Sequence, residues 1–144
     1  MSENRRLVER HYENVNNNDF SHVTEVLSPD VVTVQPAGTM HGIDQFLGFA
    51  KGFRKAFPDA RMAAEEWIEA GDRIAIQGVY TGTHTGPLAS PQGEVPATGR
   101  TLTLPYCDVF EIAAGRITKH TVYFDQTLFA IQLGLMPAPT ANPA

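Results

Sequence analysis

The second half of the chain reads as a run of long β-strands, and this run limits the possible folds more than any other feature. Apolar and polar residues alternate over 73–83, 100–112 and 116–125, and residues 61–69 form a further strand pattern. Short turns, "AGD" and "AAGR", join neighbours in this run. Helical patterns precede it, so the order predicts an α+β fold. We expect a curved, mostly antiparallel sheet with N-terminal helices packed on its concave face.

The first half of the chain carries the helical patterns. Residues 3–17 place apolar side chains at the i, i+3 and i+4 spacing of an amphipathic helix. Residues 20–27 predict a short second helix, and residues 43–57 predict a third whose apolar stripe includes Phe53. Between them, "VVTVQ" at 31–35 predicts a strand and "PAGTMHG" predicts a loop. A sheet bent around such helices leaves a pocket at its open end.

The remaining segments set the domain boundaries. At 144 residues the chain is expected to form a single domain over 1–136. The Pro/Gly-rich stretch 85–98 predicts a long loop, and loops of this length are often functional. Residues 127–134 predict a terminal helical turn, and the low-complexity tail 137–144 is expected to be flexible.

Composition excludes several classes of function. The net charge of −5 and the lack of a basic run argue against a nucleic-acid partner, and no apolar run is long enough to span a membrane. The polar N-terminus does not resemble a signal peptide, so we expect a cytoplasmic protein. With Cys107 as the one cysteine, no internal disulfide can form. The histidines lack metal-ligand spacing, and no phosphate loop or dinucleotide fingerprint occurs, so no cofactor is implied.

One carboxylate interrupts the apolar face of strand 100–112. Asp108 shares that face with Tyr106 and Phe110, so a regular strand would bury it. Burying a bare carboxylate is unfavourable, so Asp108 must be paired, hydrogen-bonded or neutral. It is then either an acid–base group with a raised pKa or a structural acid satisfied by Tyr12 or a backbone amide.

Other strands also carry candidate pocket residues. Tyr80 lies on the apolar face of strand 73–83, and His84 follows where that strand ends, either at the pocket or at the surface. Gln35 shares a face with Val31 and can also look inward.

The last strand leaves its inner face undecided. Asp125 falls on one face and His120 on the other, and a bulge would exchange them. Asp125 is therefore either a pocket carboxylate or the N-cap of the terminal helix, because Asp is a favoured cap. His11, on the stripe of the first helix, reads as a core or boundary residue.

Three stretches together resemble the SnoaL-like polyketide cyclases of the nuclear-transport-factor-2-like superfamily. They are "FPDARMAAEEWIEAGDRIAIQGVYTGTHTGPL", "VPATGRTLTLPYCDVFEIAAGRITKHTVYFD" and "LFAIQLG". The resemblance implies a cone-shaped α+β barrel that is usually dimeric, with a pocket inside the cone. It also implies a cofactor-free intramolecular aldol condensation that closes a ring.

The same resemblance suggests roles for individual residues. The catalytic acid–base Asp of the family falls on Asp125, its strand His on His120, and its acidic position in the preceding strand on Asp108. This sequence departs from the family where Thr121 replaces a common Trp and where the loop 85–98 is longer.

The related ketosteroid isomerases offer a second comparison. Their first-helix pattern resembles "RHYENVNNND", with His11 in place of a pocket Tyr and Tyr12 beside it. Their oxyanion Asp matches Asp108, but their catalytic base falls on Gln35, which cannot take a proton at neutral pH. The isomerase mechanism therefore does not transfer intact.

These observations predict a small enzyme acting on a hydrophobic carbonyl compound. Asp125 would remove a proton next to a carbonyl, with Asp108 and His120 as the other catalytic groups. The substrate-binding residues would be Tyr12, Gln35, Phe53, Tyr80, His84 and Tyr106. Isomerisation, epoxide hydrolysis and non-catalytic ligand binding remain the alternatives.

Overall fold

A computed structural model describes residues 1–139 of the chain and places most helical residues ahead of the long strands. Within this range the helices are α1 (Glu3–Asn16), α2 (Gly42–Ala56) and α3 (Gln126–Gln132), and a 3₁₀ turn covers Val23–Glu25. The strands are β1 (Leu27–Gln35), β2 (Gly38–His41), β3 (Arg61–Ala70), β4 (Arg73–Thr83), β5 (Leu88–Ser90), β6 (Gly93–Val95), β7 (Thr101–Ala113) and β8 (Arg116–Phe124).

The main sheet of the described residues has six strands in the order β2-β1-β8-β7-β4-β3. Neighbours pair antiparallel except β1 and β8, which are parallel. Strands β5 and β6 form a separate two-stranded hairpin. The predicted α+β class, with N-terminal helices on a mostly antiparallel sheet, is confirmed.

Three predicted segments differ from the structure. The helix predicted over 20–27 is reduced to the 3₁₀ turn, because Leu27 already pairs with Ile117 in the sheet. The loop predicted as "PAGTMHG" contains β2, which folds back on β1 through a tight turn. The loop 85–98 contains the β5–β6 hairpin, and its Leu88 packs into the apolar cluster around Phe57.

The last described residues of the chain, 137–139, have no regular secondary structure. The tail was predicted over 137–144, and residues 140–144 lie outside the described residues. No helix of residues 1–139 is long and apolar enough to cross a membrane.

Helix α1 forms where its cap and its apolar stripe coincide. The Ser2 hydroxyl accepts a hydrogen bond from the Arg5 amide at 3.0 Å, which satisfies one of the free N–H groups of the first turn. The apolar stripe then faces the sheet, where Val8 packs in one cluster with Ile76 and Phe110. This packing brings the polar members of the stripe, His11 and Tyr12, to the inner face of the sheet.

Gly78 has no side chain, and this leaves room for the Tyr106 ring to lie across β4. Gly78 of β4 pairs with Tyr106 of β7, and a Cβ atom at Gly78 would overlap both the Tyr106 phenol and the Ala63 carbonyl oxygen. Glycine in a strand often marks such a close approach. The missing side chain therefore sets the position of the Tyr106 hydroxyl.

We expect Gly78→Ala to destabilise the protein by about 1–3 kcal/mol, because the added methyl group overpacks a buried site. Gly52→Ala is the matched control: Gly52 is exposed in α2 with open space around it, so alanine should stabilise by about 0.5–1 kcal/mol. Urea unfolding of both variants measures the two changes, and a Gly78→Ala variant as stable as wild type would contradict the packing argument.

Candidate active site

A cavity of about 120 Å³ lies between the helices and the inner face of the sheet. Most of its wall is aromatic or aliphatic, because the apolar stripe of α2 faces the apolar sides of β4, β7 and β8. The phenylalanines of this wall are Phe20, Phe46, Phe49, Phe53, Phe124 and Phe129. Such a wall suits a flat, largely apolar ligand.

Polar side chains gather at particular points of this wall. They include the predicted site residues Tyr80, Tyr106, Asp108 and His120, together with the unpredicted His11 and Thr33. Because strand side chains alternate between faces, β7 directs Tyr106 and Asp108 to the same side. The register pairs Phe110 with His120 and Asp108 with Val122, so β8 directs His120 inward as well.

Asp108 is fully buried and holds this polar group together. Oδ2 of Asp108 accepts a hydrogen bond from the Tyr12 hydroxyl at 2.5 Å, and Oδ1 lies 3.0 Å from Nε2 of His120. Both carboxylate oxygens therefore have partners, one from α1 and one from β8. This satisfies the requirement that a buried acid be paired, and it uses the partner Tyr12 that the sequence suggested.

His120 is oriented by the same contact. A carboxylate can only accept, so we assign the ring proton to Nε2, which donates to Asp108. The imidazole stacks on Phe110 with 4.5 Å between ring centroids. Nδ1 is buried, has no hydrogen-bond partner among residues 1–139, and belongs to a side chain that lines the cavity. A side chain of the cavity wall thus carries an unused lone pair, and Asp108 is placed to stabilise the imidazolium that proton uptake would form.

Burial settles the protonation of two neighbouring side chains. Burial, and then the charge of Asp108, raise the pKa of Tyr12 far above its ordinary value, so the phenol remains a donor. Burial, and then the proximity of His120, lower the pKa of His11 to about 3. His11 is therefore a neutral imidazole at physiological pH, 5.6 Å from His120 between ring centroids.

His11 was read from the sequence as a core or boundary residue, yet it lines the cavity. Its buried environment agrees with that reading, since the side chain is 3% exposed. The signal that pointed to the pocket was its alignment with the pocket Tyr of the isomerases.

Four predicted site residues lie outside the cavity wall. Tyr12 is one of them, because its hydroxyl points to Asp108 and the residue does not line the cavity; the others are Asp125, Gln35 and His84. Asp125 is exposed, and its Oδ1 accepts from the amides of Thr127 at 2.9 Å and Leu128 at 3.0 Å. The structure therefore corrects its predicted place in the pocket: the chain leaves β8 after Phe124, and Asp125 becomes the N-cap of α3.

Gln35 and His84 accept hydrogen bonds from backbone amides outside the cavity wall. Gln35 ends β1, and its Oε1 accepts from the Ala37 amide at 2.9 Å, which holds the β1–β2 turn. The His84 ring is buried against Phe57 at the foot of the β5–β6 hairpin, with Nδ1 accepting from the Thr98 amide at 3.2 Å. Burial lowers the pKa of His84, which favours its neutral form there. Neither predicted pocket position is correct.

Arg54 brings a guanidinium group to the cavity wall, and this group is hydrogen-bonded to backbone carbonyl oxygens. It donates to the carbonyl oxygens of Val15 at 2.7 Å, Pro58 at 3.1 Å and Ala60 at 3.1 Å. These bonds tie α2 to the end of α1 and to the start of β3. With its donors committed in this way, Arg54 is poorly placed to bind a ligand carboxylate, so the cavity suits an uncharged ligand.

Across residues 1–139, no group of three or more His, Cys, Asp or Glu side chains is arranged to hold a metal ion. The chemistry on offer is that of a carboxylate, an imidazole and hydroxyl groups. Such a set can move protons and donate hydrogen bonds within a water-poor pocket.

Comparison with known proteins places the chain in a family. The family model for SnoaL-like polyketide cyclase matches residues 6–133, and the chain belongs to this family. A search of curated protein sequences finds no match.

Solved structures share the fold. A proposed SnoaL-like polyketide cyclase from Jannaschia sp. CCS1 superposes with a TM-score of 0.83 at 20% identity, covering 94% of each chain. IdmH from Streptomyces antibioticus, a proposed polyketide cyclase, has a TM-score of 0.76 at 27% identity over 92% of this chain and 99% of its own. A protein of unknown function from Burkholderia pseudomallei K96243, described as NTF2-like, has a TM-score of 0.77 at 27% identity over 92% and 98%.

The lowered pKa of His11 predicts that part of the free energy of unfolding is lost at acidic pH. Above pH 6.5 the His11 imidazole is neutral in the folded and the unfolded protein. Below pH 6.5 the unfolded chain binds a proton at His11, whereas the folded protein binds it only near pH 3. Stability should therefore fall as the pH drops through this window, by about 1.4 kcal/mol per pH unit.

We expect His11→Phe to remove this component, so that the variant loses about 2–3 kcal/mol less than wild type between pH 6.5 and 4.5. Urea unfolding at the two pH values measures it. His41→Phe, at an exposed histidine, should keep the wild-type slope. An unchanged slope in His11→Phe would mean that His11 accepts a proton in the folded protein.

Proposed function

We propose that the protein is a cofactor-free enzyme that closes a ring in an uncharged, polyketide-like carbonyl compound. The observation that carries the proposal is the buried Asp108–His120 pair, with Nδ1 of His120 unpartnered among the described residues and on a cavity-lining side chain. Membership of the SnoaL-like polyketide cyclase family, and the 27% identity to IdmH, support the same class of reaction.

In the proposed first step, Nδ1 of His120 removes a proton from the carbon next to a carbonyl group. The carbon–hydrogen bond breaks, its electron pair forms the enolate, and the proton moves to the imidazole. Asp108 stabilises the resulting imidazolium through Nε2, and Tyr12 keeps the carboxylate in position. Tyr12 is a positioning residue in this scheme because it does not line the cavity.

The second step closes the ring within the substrate. The enolate carbon attacks a second carbonyl of the same molecule, and the alkoxide that forms takes the proton back from His120. A cavity of about 150 Å³ admits a benzene molecule; the present cavity of about 120 Å³ is of the same order and matches the size of about one ring of a substrate. Holding the two reacting carbons together can supply about 7 kcal/mol or more of the barrier in favourable cases.

The proposal assigns the base to His120 instead of Asp125. A base must reach the substrate, whereas Asp125 is exposed and already accepts two amide hydrogen bonds. As a helix cap, Asp125 shapes the path of α3, whose Phe129 lines the cavity. Isomerisation by the same base is the second candidate, favoured by the buried Asp108, which stands where the isomerases carry their oxyanion Asp.

We also propose that the protein forms a homodimer through the outer face of the sheet. A row of small and apolar residues crosses this face: Ile68, Ala75, Val109, Thr121 and Val34 are successive partners in the strand register. Ile68 is 54% exposed and the nearby Tyr123 is 60% exposed. A second copy would bury this surface, and large exposed apolar patches often mark such contacts.

Proton exchange tests the catalytic proposal directly. Wild-type protein should speed deuterium incorporation from D₂O next to the carbonyl of uncharged aryl ketones such as 1-tetralone, followed by NMR. We expect His120→Gln to reduce this rate by about 10²–10⁴-fold, because the general base is lost. Asp125→Asn should retain it, because an Asn side-chain oxygen also caps a helix.

The opposite result would reassign the base. If Asp125→Asn abolishes exchange while its melting temperature is unchanged, Asp125 is the base and His120 is not. If wild-type protein binds the ketones without exchanging them, the catalytic proposal fails in favour of a ligand-binding role.

The dimer proposal is tested by sedimentation. We expect wild-type protein to sediment as a dimer at micromolar concentration and Val109→Lys to sediment as a monomer, because the substitution puts a charge in the middle of the apolar row. Thr81→Lys, at an exposed outer-face position nearer one end of β4, serves as the matched control and should remain dimeric. A monomeric wild type would overturn the proposal.

A further inference from the structure

Thr33 stands directly beside His120 on the inner face of the sheet. The two residues are paired in the register of the parallel strands β1 and β8, so their side chains leave the sheet on the same side. Neighbouring strands lie about 4.7–4.9 Å apart. Both side chains line the cavity.

The Thr33 hydroxyl is buried and has nothing to bind within the described part of the chain. The residue is 2% exposed, and its Oγ1 finds no hydrogen-bond partner among residues 1–139. A buried hydroxyl without a partner is uncommon and disfavoured, so its presence calls for an explanation. An oxygen atom of a ligand in the cavity would provide the missing partner.

We propose that the Thr33 hydroxyl is the hydrogen-bond donor that stabilises the enolate oxygen while Nδ1 of His120 takes the proton. This inference rests on the proposed function and adds a catalytic residue to it. The carbon that loses its proton is bonded to the carbonyl carbon, so base and donor must be close neighbours. Adjacent positions on two neighbouring strands meet that requirement.

The chemistry of the step is balanced without another reactant. As the carbon–hydrogen bond breaks, the carbonyl oxygen gains negative charge and the imidazole gains the proton. Thr33 keeps its own proton throughout and contributes a hydrogen bond that strengthens as the charge develops. When the enolate carbon attacks the second carbonyl, this oxygen becomes a carbonyl again.

Other hydroxyl groups are less well placed. The Tyr12 hydroxyl is committed to Asp108. On the other flank of His120, the register position is occupied by Phe110. Tyr106 lies four residues from Phe110 along β7, beyond Asp108, so its ring leaves the sheet farther from His120 than Thr33 does. The neutral imidazole of His11 also adjoins His120, so the test includes a variant at that position.

The test compares Thr33→Val, which keeps the shape of the side chain and removes its hydroxyl, with Thr33→Ser, which retains the hydroxyl. Thr121→Val is the matched control, since Thr121 is one residue from His120 on the outer face. Deuterium exchange with 1-tetralone gives the rate. A second measurement is calorimetric binding of 4-methylphenol and the more acidic 4-nitrophenol, whose oxygen mimics the enolate.

We expect Thr33→Val to lower the exchange rate by about 10²-fold, as loss of an oxyanion donor does elsewhere. Thr33→Ser and Thr121→Val should stay close to wild type, and His11→Phe, which alters the cavity wall, should lose less than Thr33→Val. Wild type should bind 4-nitrophenol more tightly than 4-methylphenol, and Thr33→Val should lose most of that difference. Its melting temperature should be no lower than that of wild type, because an unpartnered hydroxyl has been removed from a buried site.

The results separate this inference from the proposed function. If Thr33→Val exchanges like wild type while His120→Gln does not, the donor role is wrong and the proposed function stands. An equal loss in Thr33→Val and Thr33→Ser, or a loss confined to His11→Phe, would also overturn it. If wild type exchanges no ketone, the proposed function fails, and phenol binding then tests the donor role of Thr33 by itself. A Thr33→Val variant that binds both phenols as wild type does would overturn the inference. So would a wild type that binds neither phenol.

Discussion

The burial of one carboxylate governs the rest of this structure. Asp108 has no access to water, so both of its oxygens need donors from the protein, and they find them in Tyr12 of α1 and His120 of β8. These two contacts tie the first helix and the last strand to β7 at the same point. Because a buried, unpaired carboxylate would be strongly destabilising, the contacts also determine where the helix can sit and which way the imidazole faces.

Hydrogen bonds within the fold also explain why the cavity wall is mostly apolar. Arg54 donates to backbone carbonyl groups and Asn16 exchanges hydrogen bonds with the backbone of Met62, so charged and amide groups near the cavity hold the fold together. The wall that remains is aromatic, with buried hydroxyl and imidazole atoms at separate points. Neutral groups in a water-poor pocket interact strongly with charge that develops during a reaction, which suits acid–base chemistry on an uncharged compound.

The parts of the site that lie within regular strands could be predicted from the sequence. Alternation along β4 and β7 places Tyr80, Tyr106 and Asp108 on the inner face, and the helical period of α2 places Phe53 there. Prediction failed where strands end. Asp125, Gln35 and His84 each follow or finish a strand, where the chain turns and alternation no longer determines direction. Thr33 and His11 lie on correctly predicted elements, but their closeness to His120 depends on which strand pairs with which.

The sequence by itself determined the α+β class, the family and the inner-face position of Asp108, because these depend on local periodicity and on motifs that can be read along the chain. Tertiary structure chose among the alternatives that the sequence left open for Asp108 and Asp125, since Tyr12 satisfies the acid and Asp125 caps α3. It alone decided that His120 is the second partner of Asp108 and that Thr33 lies beside His120. The parallel pairing of β1 with β8 joins residues 87 positions apart, from Thr33 to His120. No local pattern encodes such a register, since it results from the packing of the whole sheet around the helices.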